Sequence, residues 1–189
     1  QLAPCSQLWD TPGVYGLSSL SEEEQVTERA LDAADAVVNV VSALSLERDL
    51  FFTQQLIDWG FPLVLAVNQL DEAEQRDVAL DLPKLERLLG VPVVGCVATR
   101  GQGMAELRER AGKARRGNPT PGLEAPAAVR EAERHPGERM KIYGTRRHHV
   151  NAVLANVLTE RGTGGATPAK RFSRWLGGLL LNPVAGGLA

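Results

Sequence analysis

The chain has 189 residues and a formal net charge of −2. This length accommodates one α/β domain and a smaller appendage. Its two cysteines, Cys5 and Cys96, lie far apart in the sequence, which argues against a disulfide framework and favours a reducing compartment. Residues 1–6 are neither basic nor a long apolar run, so no signal peptide is predicted, and the missing initiator Met predicts that the chain begins within a longer protein.

Acidic and basic residues are unevenly distributed along the chain. Residues 1–110 contain 8 Lys and Arg against 18 Asp and Glu, whereas residues 111–189 contain 13 against 5. The formal charges of the two parts are therefore −10 and +8. A basic segment suits nucleic acid, anionic lipid or simple solvation, and the charge alone does not separate these alternatives.

The first predicted elements alternate between helix and strand. Ser21 followed by Glu24 is a capping box, which predicts a helix from this point to about Ala33. Unalternating β-branched runs predict buried parallel strands at 36–42 and 62–67. Between these strands we predict a helix over residues 46–59 that ends at Gly60. One face of this helix is predicted to carry Leu46, Leu50, Phe51, Gln54 and Ile57.

The alternation continues in the next 50 or so residues. Asp71 is predicted to cap a short helix through Arg76, and Asp81 to cap a helix that ends before Gly90. A strand follows at 91–97, and a helix follows at 104–115. Strands that alternate with helices predict βαβ units and an α/β fold with a largely parallel sheet.

Beyond this pattern, Pro and Gly are dense enough at 117–124 to predict a linker. The following residues, 125–163, lack strand signals and predict a small helical domain, interrupted at Pro136-Gly137, whose packing face carries Val150, Val153, Leu154, Val157 and Leu158. Residues 164–189 combine Lys170, Arg171 and Trp175 with an apolar run, which is typical of the approach to a membrane. At about 14 residues and broken by Pro183, this run is too short to span a bilayer.

Two motifs carry the chemistry, and each is placed where a hydrophobic strand is expected to end. In Asp10-Thr11-Pro12-Gly13, the Asp can hold a magnesium-bound water and the Gly can bring its N–H close to a γ-phosphate. In Asn68-Gln69-Leu70-Asp71, the Asp carboxylate can accept hydrogen bonds from N1–H and the exocyclic amine of guanine, while the Asn braces the surrounding loops. Either motif alone is equally typical of a turn, but together they indicate a guanine nucleotide site.

The order of the strands supports this interpretation. Ligands of open α/β sheets bind at the carboxyl ends of the strands, which is where Asn68 is predicted to lie. The strand at 91–97 leads to the loop 98–103, which contains Ala98 and Thr99 and could present backbone N–H groups to a purine oxygen.

These motifs and their flanking residues resemble the GTPase domain of the ferrous iron transport protein B family. The similarity runs through Asp10-Thr11-Pro12-Gly13-Val14-Tyr15-Gly16-Leu17, through Ser21-Glu22-Glu23-Glu24 and through Leu65-Ala66-Val67-Asn68-Gln69-Leu70-Asp71-Glu72-Ala73. It continues at Ala98-Thr99-Arg100-Gly101-Gln102-Gly103 and returns at Leu180-Leu181-Asn182-Pro183-Val184.

The resemblance implies a P-loop NTPase-like fold of the small GTPase type, incomplete at its amino terminus and followed by a helical regulatory domain. Residues 1–116 would be the partial GTPase domain, 117–124 the linker, 125–163 the helical domain and 164–189 the membrane-approach segment. It also implies GTP or GDP with Mg²⁺ as cofactors, and Fe(II) as an ion that the full-length protein transports and this chain does not bind.

The resemblance further implies roles for individual residues. The nucleotide would contact Asp10, Thr11, Pro12, Gly13, Asn68, Gln69, Asp71, Ala98 and Thr99. Asp10 would reach Mg²⁺ through water, and residues 14–21 would form the second switch, here named the switch segment. The expected partners are the protein's own transmembrane domain and, through the basic carboxyl-terminal segment, the membrane surface on the cytoplasmic side of a bacterial inner membrane. A second copy of the chain, in a homo-oligomer, is a further candidate partner, and no nucleic acid partner is expected.

One departure from the family pattern limits these expectations. The sequence contains no Gly-x-x-x-x-Gly-Lys-Ser/Thr loop, so it lacks the usual cradle for the α- and β-phosphates. We expect truncation to explain this, and we expect these 189 residues alone to be inactive in hydrolysis. Two alternatives stay open from the sequence: a soluble ribosome- or RNA-associated GTPase, and a nucleotide-free interaction module with a GTPase fold.

Overall fold

A computed structural model describes residues 7–18 and 21–160. The helices in these residues are α1 (Glu22–Ala33), α2 (Leu46–Asp58), α3 (Leu70–Gln75), α4 (Leu82–Leu89), α5 (Met104–Ala111), α6 (Pro126–Ala132) and α7 (Pro136–Val157). The strands in the same residues are β1 (Val37–Ser42), β2 (Leu63–Asn68), β3 (Val78–Leu80), β4 (Val93–Gly95) and β5 (Leu158–Glu160). A short 3₁₀ helix spans Ala98–Arg100.

The main sheet of the described residues is parallel and has the order β1-β2-β4. Val37 pairs with Leu63 across β1 and β2, and Leu65 pairs with Val93 across β2 and β4. The predicted α/β fold with a parallel sheet is therefore confirmed. Within the described part of the chain β1 pairs on one side only, and the side chain of Val40 on this strand is 62% exposed.

The central strand β2 is buried on both faces, because helices cover each side of the sheet. Leu63, Leu65 and Val67 face a large core that includes residues of α2, α4 and α7. Val64 and Ala66 point to the opposite face, where they join a smaller cluster with Val94 and partly buried residues of α5. This arrangement explains why the run at 62–67 is continuously apolar instead of alternating.

Local capping signals in the sequence place several helix ends correctly. The Ser21 hydroxyl accepts a hydrogen bond from the Glu24 N–H at 3.1 Å, and α1 begins at the next residue. The Asp81 carboxylate accepts from the Lys84 N–H at 2.9 Å, and α4 ends at Gly90 in the left-handed conformation, with φ of 71°. Each cap satisfies a backbone group that a helix terminus would otherwise leave unpaired.

The prediction that a strand leads into Asp10 is wrong for the described residues. Residues 7–14 form neither helix nor strand, and Leu8 and Trp9 are exposed. A strand requires a neighbour to pair with, and in the described residues no strand takes up the backbone groups of this segment.

Three element boundaries differ from the sequence prediction. Gln69, not Asp71, is the residue that precedes α3, and Asp71 is the second residue of that helix. The predicted strand at 91–97 is reduced to Val93–Gly95. The helix predicted to reach Arg115 ends at Ala111, and Arg115 instead accepts a hydrogen bond from the Leu63 N–H at 3.0 Å.

A second, two-stranded sheet was not predicted. Strands β3 and β5 pair antiparallel, with Val78 opposite Glu160 and Leu80 opposite Leu158. This pairing joins the residues after α3 to the end of α7, so the helical part of the chain is hydrogen-bonded to the sheet-containing part.

The segment predicted to be a linker packs closely against the molecule. The Thr120 side chain is 2% exposed, and the Asn118 side chain donates hydrogen bonds to the carbonyl oxygens of Arg87 and Leu88 at the end of α4. Residues Val129, Ile142, Val150, Val153, Leu154 and Val157 belong to the same core as β2 and α2. The division into domains stays a prediction, but its two sides share one hydrophobic core.

The membrane-approach segment at 164–189 and the last residues of the predicted helical domain lie outside the described residues. Among the helices that the structure describes, none combines the length and the apolar character needed to cross a bilayer.

The His149 side chain makes the stability of the fold dependent on pH. Burial on α7 lowers the pKa of His149 below its ordinary value, an effect opposed by the charge of Asp58 and reinforced by His148. The unfolded chain therefore binds a proton more readily than the folded chain, and the free energy of unfolding should fall as the pH drops below about 6.5. We expect His149→Gln to flatten this dependence between about pH 6.5 and 5 in urea titrations.

The neighbouring His148 provides the control, because its side chain is exposed on the same helix. His148→Gln should retain the decline in stability. An unchanged pH profile in His149→Gln would contradict the assignment.

Candidate nucleotide site

Asn68, the last residue of β2, connects the loops at the carboxyl edge of the parallel sheet. Its side-chain Oδ1 accepts a hydrogen bond from the Ala98 N–H at 3.0 Å, and its backbone oxygen accepts from the Ala43 N–H at 2.9 Å. One residue thus holds the chain after β1 and the chain after β4 at a fixed distance from β2. This is the bracing role that the sequence suggested for the Asn of the motif.

Gln69 has a backbone conformation that is uncommon for a residue with a side chain. Its φ is 64°, in the left-handed region, and such strain tends to persist only where surrounding contacts enforce it. The Gln69 Oε1 accepts from the Ser42 hydroxyl at 2.6 Å, and its Nε2 donates to Glu72 at 3.1 Å. The side-chain amide is therefore used to join β1 to α3.

Asp71 lies on the first turn of α3, beside the 3₁₀ helix that contains Ala98 and Thr99. Its Oδ2 is 3.6 Å from Nη2 of Arg100, and the Asp71 side chain is 23% exposed. An ion pair between partly exposed groups contributes at most about 1 kcal/mol. A ligand with two well-placed donors can therefore displace Arg100 from this carboxylate.

Several backbone N–H groups of the loop after β4, which the sequence offered as donors to a purine, already have partners within the protein. The Ala98 N–H is used by Asn68, and the Arg100 N–H donates to the Val97 oxygen at 3.0 Å. Ala98 and Thr99 are exposed at the same edge of the sheet as Asn68. The structure thus brings together the five predicted base-side residues, which are Asn68, Gln69, Asp71, Ala98 and Thr99.

The other predicted motif lies in a separate setting. Asp10, Thr11, Pro12 and Gly13 are exposed, and the Pro12 oxygen accepts from the Thr27 hydroxyl of α1 at 3.4 Å. Within the described residues, a Cβ added at Gly13 would meet no atom within 4 Å, so a ligand has room to approach this backbone. The described residues also contain no group of three His, Cys, Asp or Glu arranged to hold a metal ion.

The switch segment that follows is exposed at one point and buried at another. Tyr15 is 67% exposed, and the Arg48 guanidinium lies 4.2 Å from the centre of its ring. Leu17 is 1% exposed, and its backbone is hydrogen-bonded to Gln55 of α2. The Ser18 N–H and hydroxyl both donate to Glu24 Oε2, at 2.8 and 2.7 Å.

Sequence reasoning missed Arg100 and Gln55 as residues of interest. Arg100 was visible only as part of the 98–103 loop, with no pattern that pairs it with Asp71. Gln55 had a usable signal, because three polar residues, Thr53, Gln54 and Gln55, stand between the apolar runs 50–52 and 56–57 of the same helix. All three are fully buried, and buried polar groups require specific partners.

A separate open groove, with a volume of about 560 Å³, lies away from the base-side residues. It is formed by α1, α6 and α7 and is lined by several arginines, including Arg29 and Arg139, and by Ser18. We place the candidate site at the sheet edge because the motif residues converge there.

A parallel sheet covered by helices, with an Asn-x-x-Asp loop at its carboxyl edge, defines a G-domain of the P-loop GTPase class. A family model described as "Ferrous iron transport protein B" matches residues 4–111, more than half of the chain. The chain belongs to the ferrous iron transport protein B family, which confirms the resemblance seen in the sequence.

Sequence similarity to individual proteins of this family supports the assignment. The Fe(2+) transporter FeoB of Salmonella typhimurium is 40% identical over 107 residues, which are 53% of this chain and 14% of that protein. The Fe(2+) transporter FeoB of Escherichia coli K12 is 37% identical over the same span. The chain thus covers only 14% of the length of these curated relatives.

Solved structures extend the similarity into the helical part. The cytosolic domain of Legionella pneumophila FeoB has a TM-score of 0.69 and 27% identity, and the match covers 80% of this chain and 77% of that one. The FeoB G-domain of Methanococcus jannaschii is 40% identical, with a TM-score of 0.52, over 53% of this chain and 64% of that one. The Thermotoga maritima FeoB cytosolic domain in its GMPPNP form, at 20% identity and a TM-score of 0.69, shows the same fold.

Proposed function

We propose that the chain is the guanine-nucleotide-binding regulatory part of a ferrous iron membrane transporter. In this role it binds GTP and GDP, and slow GTP hydrolysis is coupled to Fe(II) uptake through a transmembrane domain of the same protein. The chain acts at the cytoplasmic face of a bacterial inner membrane. Membership of the family and the G-domain fold support this proposal.

The observation that carries the proposal is the joint placement of Asn68 and Asp71 at the sheet edge. Asn68 ties the Ala98 loop to β2, and this contact sets the distance between Asp71 and that loop. The Asp71 carboxylate then accepts two hydrogen bonds from guanine N1–H and the exocyclic amine. Adenine has no matching pair of donors at these positions, so the same carboxylate rejects it.

The chain's residues fit the base better than they fit the phosphates. Asp71 already attracts a planar cationic donor, Arg100, and guanine presents two neutral N–H groups of similar geometry. For the phosphates the sequence supplies Gly13 and, through water, Asp10 as a contact to Mg²⁺. It supplies no Lys-containing phosphate loop, so these 189 residues alone should hold the phosphates weakly.

The sequence left open one alternative to this function, a nucleotide-free module that acts by docking. The test below separates the two functions, because a docking module has no base preference for Asp71 to determine. The RNA-associated GTPase suggested as a further alternative gains no support from the described residues.

The test is nucleotide competition in the natural full-length protein that contains this chain. We expect Asp71→Asn to weaken GDP binding about 100-fold or more, because two charge-assisted hydrogen bonds are lost. The amide should at the same time improve binding of xanthosine diphosphate, whose C2 oxygen can accept from the new N–H₂ group. Fluorescent GDP displaced by GDP, ADP or xanthosine diphosphate provides the measurement.

Asp77→Asn is the matched control, because Asp77 is an exposed residue just beyond the same helix. It should leave all three affinities unchanged. A GDP affinity that survives Asp71→Asn, or the absence of any guanine preference in the unaltered protein, would refute the proposed function.

A further inference from the structure

We propose that Gln55 is the positioning residue of the switch segment and that Glu133 and Arg146, from the helical part of the chain, fix the orientation of Gln55. In this arrangement α6 and α7 determine where the switch segment lies. The consequence for nucleotide binding rests on the proposed function, whereas the positioning itself does not.

Gln55 makes a two-point contact with the backbone of a single residue. Its Oε1 accepts from the Leu17 N–H at 2.9 Å, and its Nε2 donates to the Leu17 oxygen at 2.9 Å. Rotating the amide by 180° would set donor against donor and acceptor against acceptor, so only one orientation is compatible with this contact. Because Gln55 is fully buried, water does not replace a lost partner.

The orientation of Gln55 is set from the other side by Glu133. The Gln55 Nε2 also donates to Glu133 Oε2 at 2.5 Å, and Glu133, which follows α6, is 2% exposed. Both protons of the amide nitrogen are thus used, one by the switch segment and one by the helical part. A displacement of Glu133 therefore pulls directly on the group that holds Leu17.

Glu133 is in turn held by Arg146 at the middle of α7. The Arg146 Nη2 donates to Glu133 Oε1, and its Nε donates to Asp58 Oδ2 at 2.7 Å. Asp58 also accepts from the Thr120 N–H at 2.7 Å, in the segment that joins the two parts of the chain. The Arg146 side chain is 0% exposed, and hydrogen bonds between buried groups reinforce one another.

The network reaches the switch segment at its buried end. Leu17 is 1% exposed, whereas Tyr15, two residues earlier, is 67% exposed. Leu17 cannot move without breaking both contacts to Gln55, and this would leave the buried Gln55 amide with Glu133 as its one remaining partner among these residues. The position of the segment and the arrangement of α6 and α7 are therefore coupled, and the coupling acts equally in both directions.

Hydrogen exchange of single amides in the 189-residue chain tests the positioning. Glu133→Gln keeps the shape of the side chain but cannot accept from both Gln55 and Arg146. We expect exchange of the Leu17 N–H to accelerate at least tenfold more than exchange of the Leu65 N–H, which lies in the central strand and reports global opening. Arg146→Lys, which keeps the charge but loses the forked geometry, should give the same selective effect and serves if Glu133→Gln does not fold.

Glu131→Gln is the control, because Glu131 lies on α6 two residues before Glu133, and its contacts with Arg134 and His135 are on the surface. This substitution should leave the exchange rates of the Leu17 and Leu65 N–H groups unchanged. Equal acceleration of Leu17 and Leu65, or no acceleration of Leu17 in a folded variant, would overturn the proposal.

Nucleotide binding by the full-length protein tests the functional consequence separately. Since the segment follows Gly13, the residue expected near the γ-phosphate, Glu133→Gln should alter the affinity for GTP relative to GDP by several fold. The preference for guanine over xanthine should stay the same, because it depends on Asp71. If Glu133→Gln accelerates exchange of the Leu17 N–H but leaves the ratio of GTP affinity to GDP affinity unchanged, the regulatory role is overturned. If the unaltered protein shows no preference for guanine, the proposed function is refuted instead.

Discussion

Arg146→Ala is expected to lower the free energy of unfolding by about 3–5 kcal/mol. The Arg146 guanidinium is fully buried between two carboxylates, those of Asp58 and Glu133, which are themselves almost fully buried. Removing the cation leaves two negative charges buried without their counter-ion, and this penalty exceeds the value of the ion pairs themselves. Urea titration of the 189-residue chain at neutral pH measures the change in midpoint.

Arg147→Ala is the appropriate control, because it removes the same side chain one position further along α7. Arg147 is 47% exposed, its ion pair with Glu47 is long at 3.9 Å, and it lies over the ring of Phe51. The expected loss is about 1 kcal/mol or less. Similar losses for the two variants would show that the buried network contributes no special stability.

Gly103→Ala should destabilise the protein by about 2–5 kcal/mol and displace the loop that carries Ala98 and Thr99. Gly103 has a φ of 79°, and a Cβ at this position would lie 2.2 Å from the backbone oxygen of Gly95 in β4. The strand cannot withdraw without disturbing the parallel sheet, so the loop has to shift. Urea titration measures the loss of stability, and the amide chemical shifts of residues 98–102 report the displacement.

Gly101→Ala is the control, because it introduces the strain of a positive φ without the steric clash that is expected at position 103. Gly101 also has a positive φ, 68°, but a Cβ there would meet no described atom within 4 Å. We expect a loss of only about 1–2 kcal/mol and no displacement of the loop. If Gly103→Ala cost no more than Gly101→Ala, the close packing of this loop on β4 would be refuted.

Features encoded by neighbouring residues could be predicted from the sequence. The caps at Ser21 and Asp81, the buried strand β2 and the amphipathic helix α2 each depend on signals within a few residues. The convergence of Asn68, Asp71 and Ala98 was also predictable, because the ends of parallel strands meet at one edge of a sheet.

Features that depend on distant partners could not be predicted. Strands β3 and β5 are three residues each and are separated by nearly the whole helical part of the chain, so neither segment carries a strand signal of its own. Glu133 and Arg146 looked like ordinary charges on helices, since only the packed structure places them in the interior. The strand expected before Asp10 is absent from residues 7–9, the part of it that the structure describes, for a related reason: a segment becomes a strand only where another strand pairs with it.

The open side of β1 has a consequence for any sample of these 189 residues. This strand, Val37–Ser42, is rich in β-branched residues, exposes Val40, and in the described residues presents one row of backbone donors and acceptors without a neighbour. Such an edge is a template for adding a further strand, whether from elsewhere in a longer protein or from a second copy. We therefore expect a preparation that leaves this edge uncovered to associate through added β-strand pairing while its core remains folded.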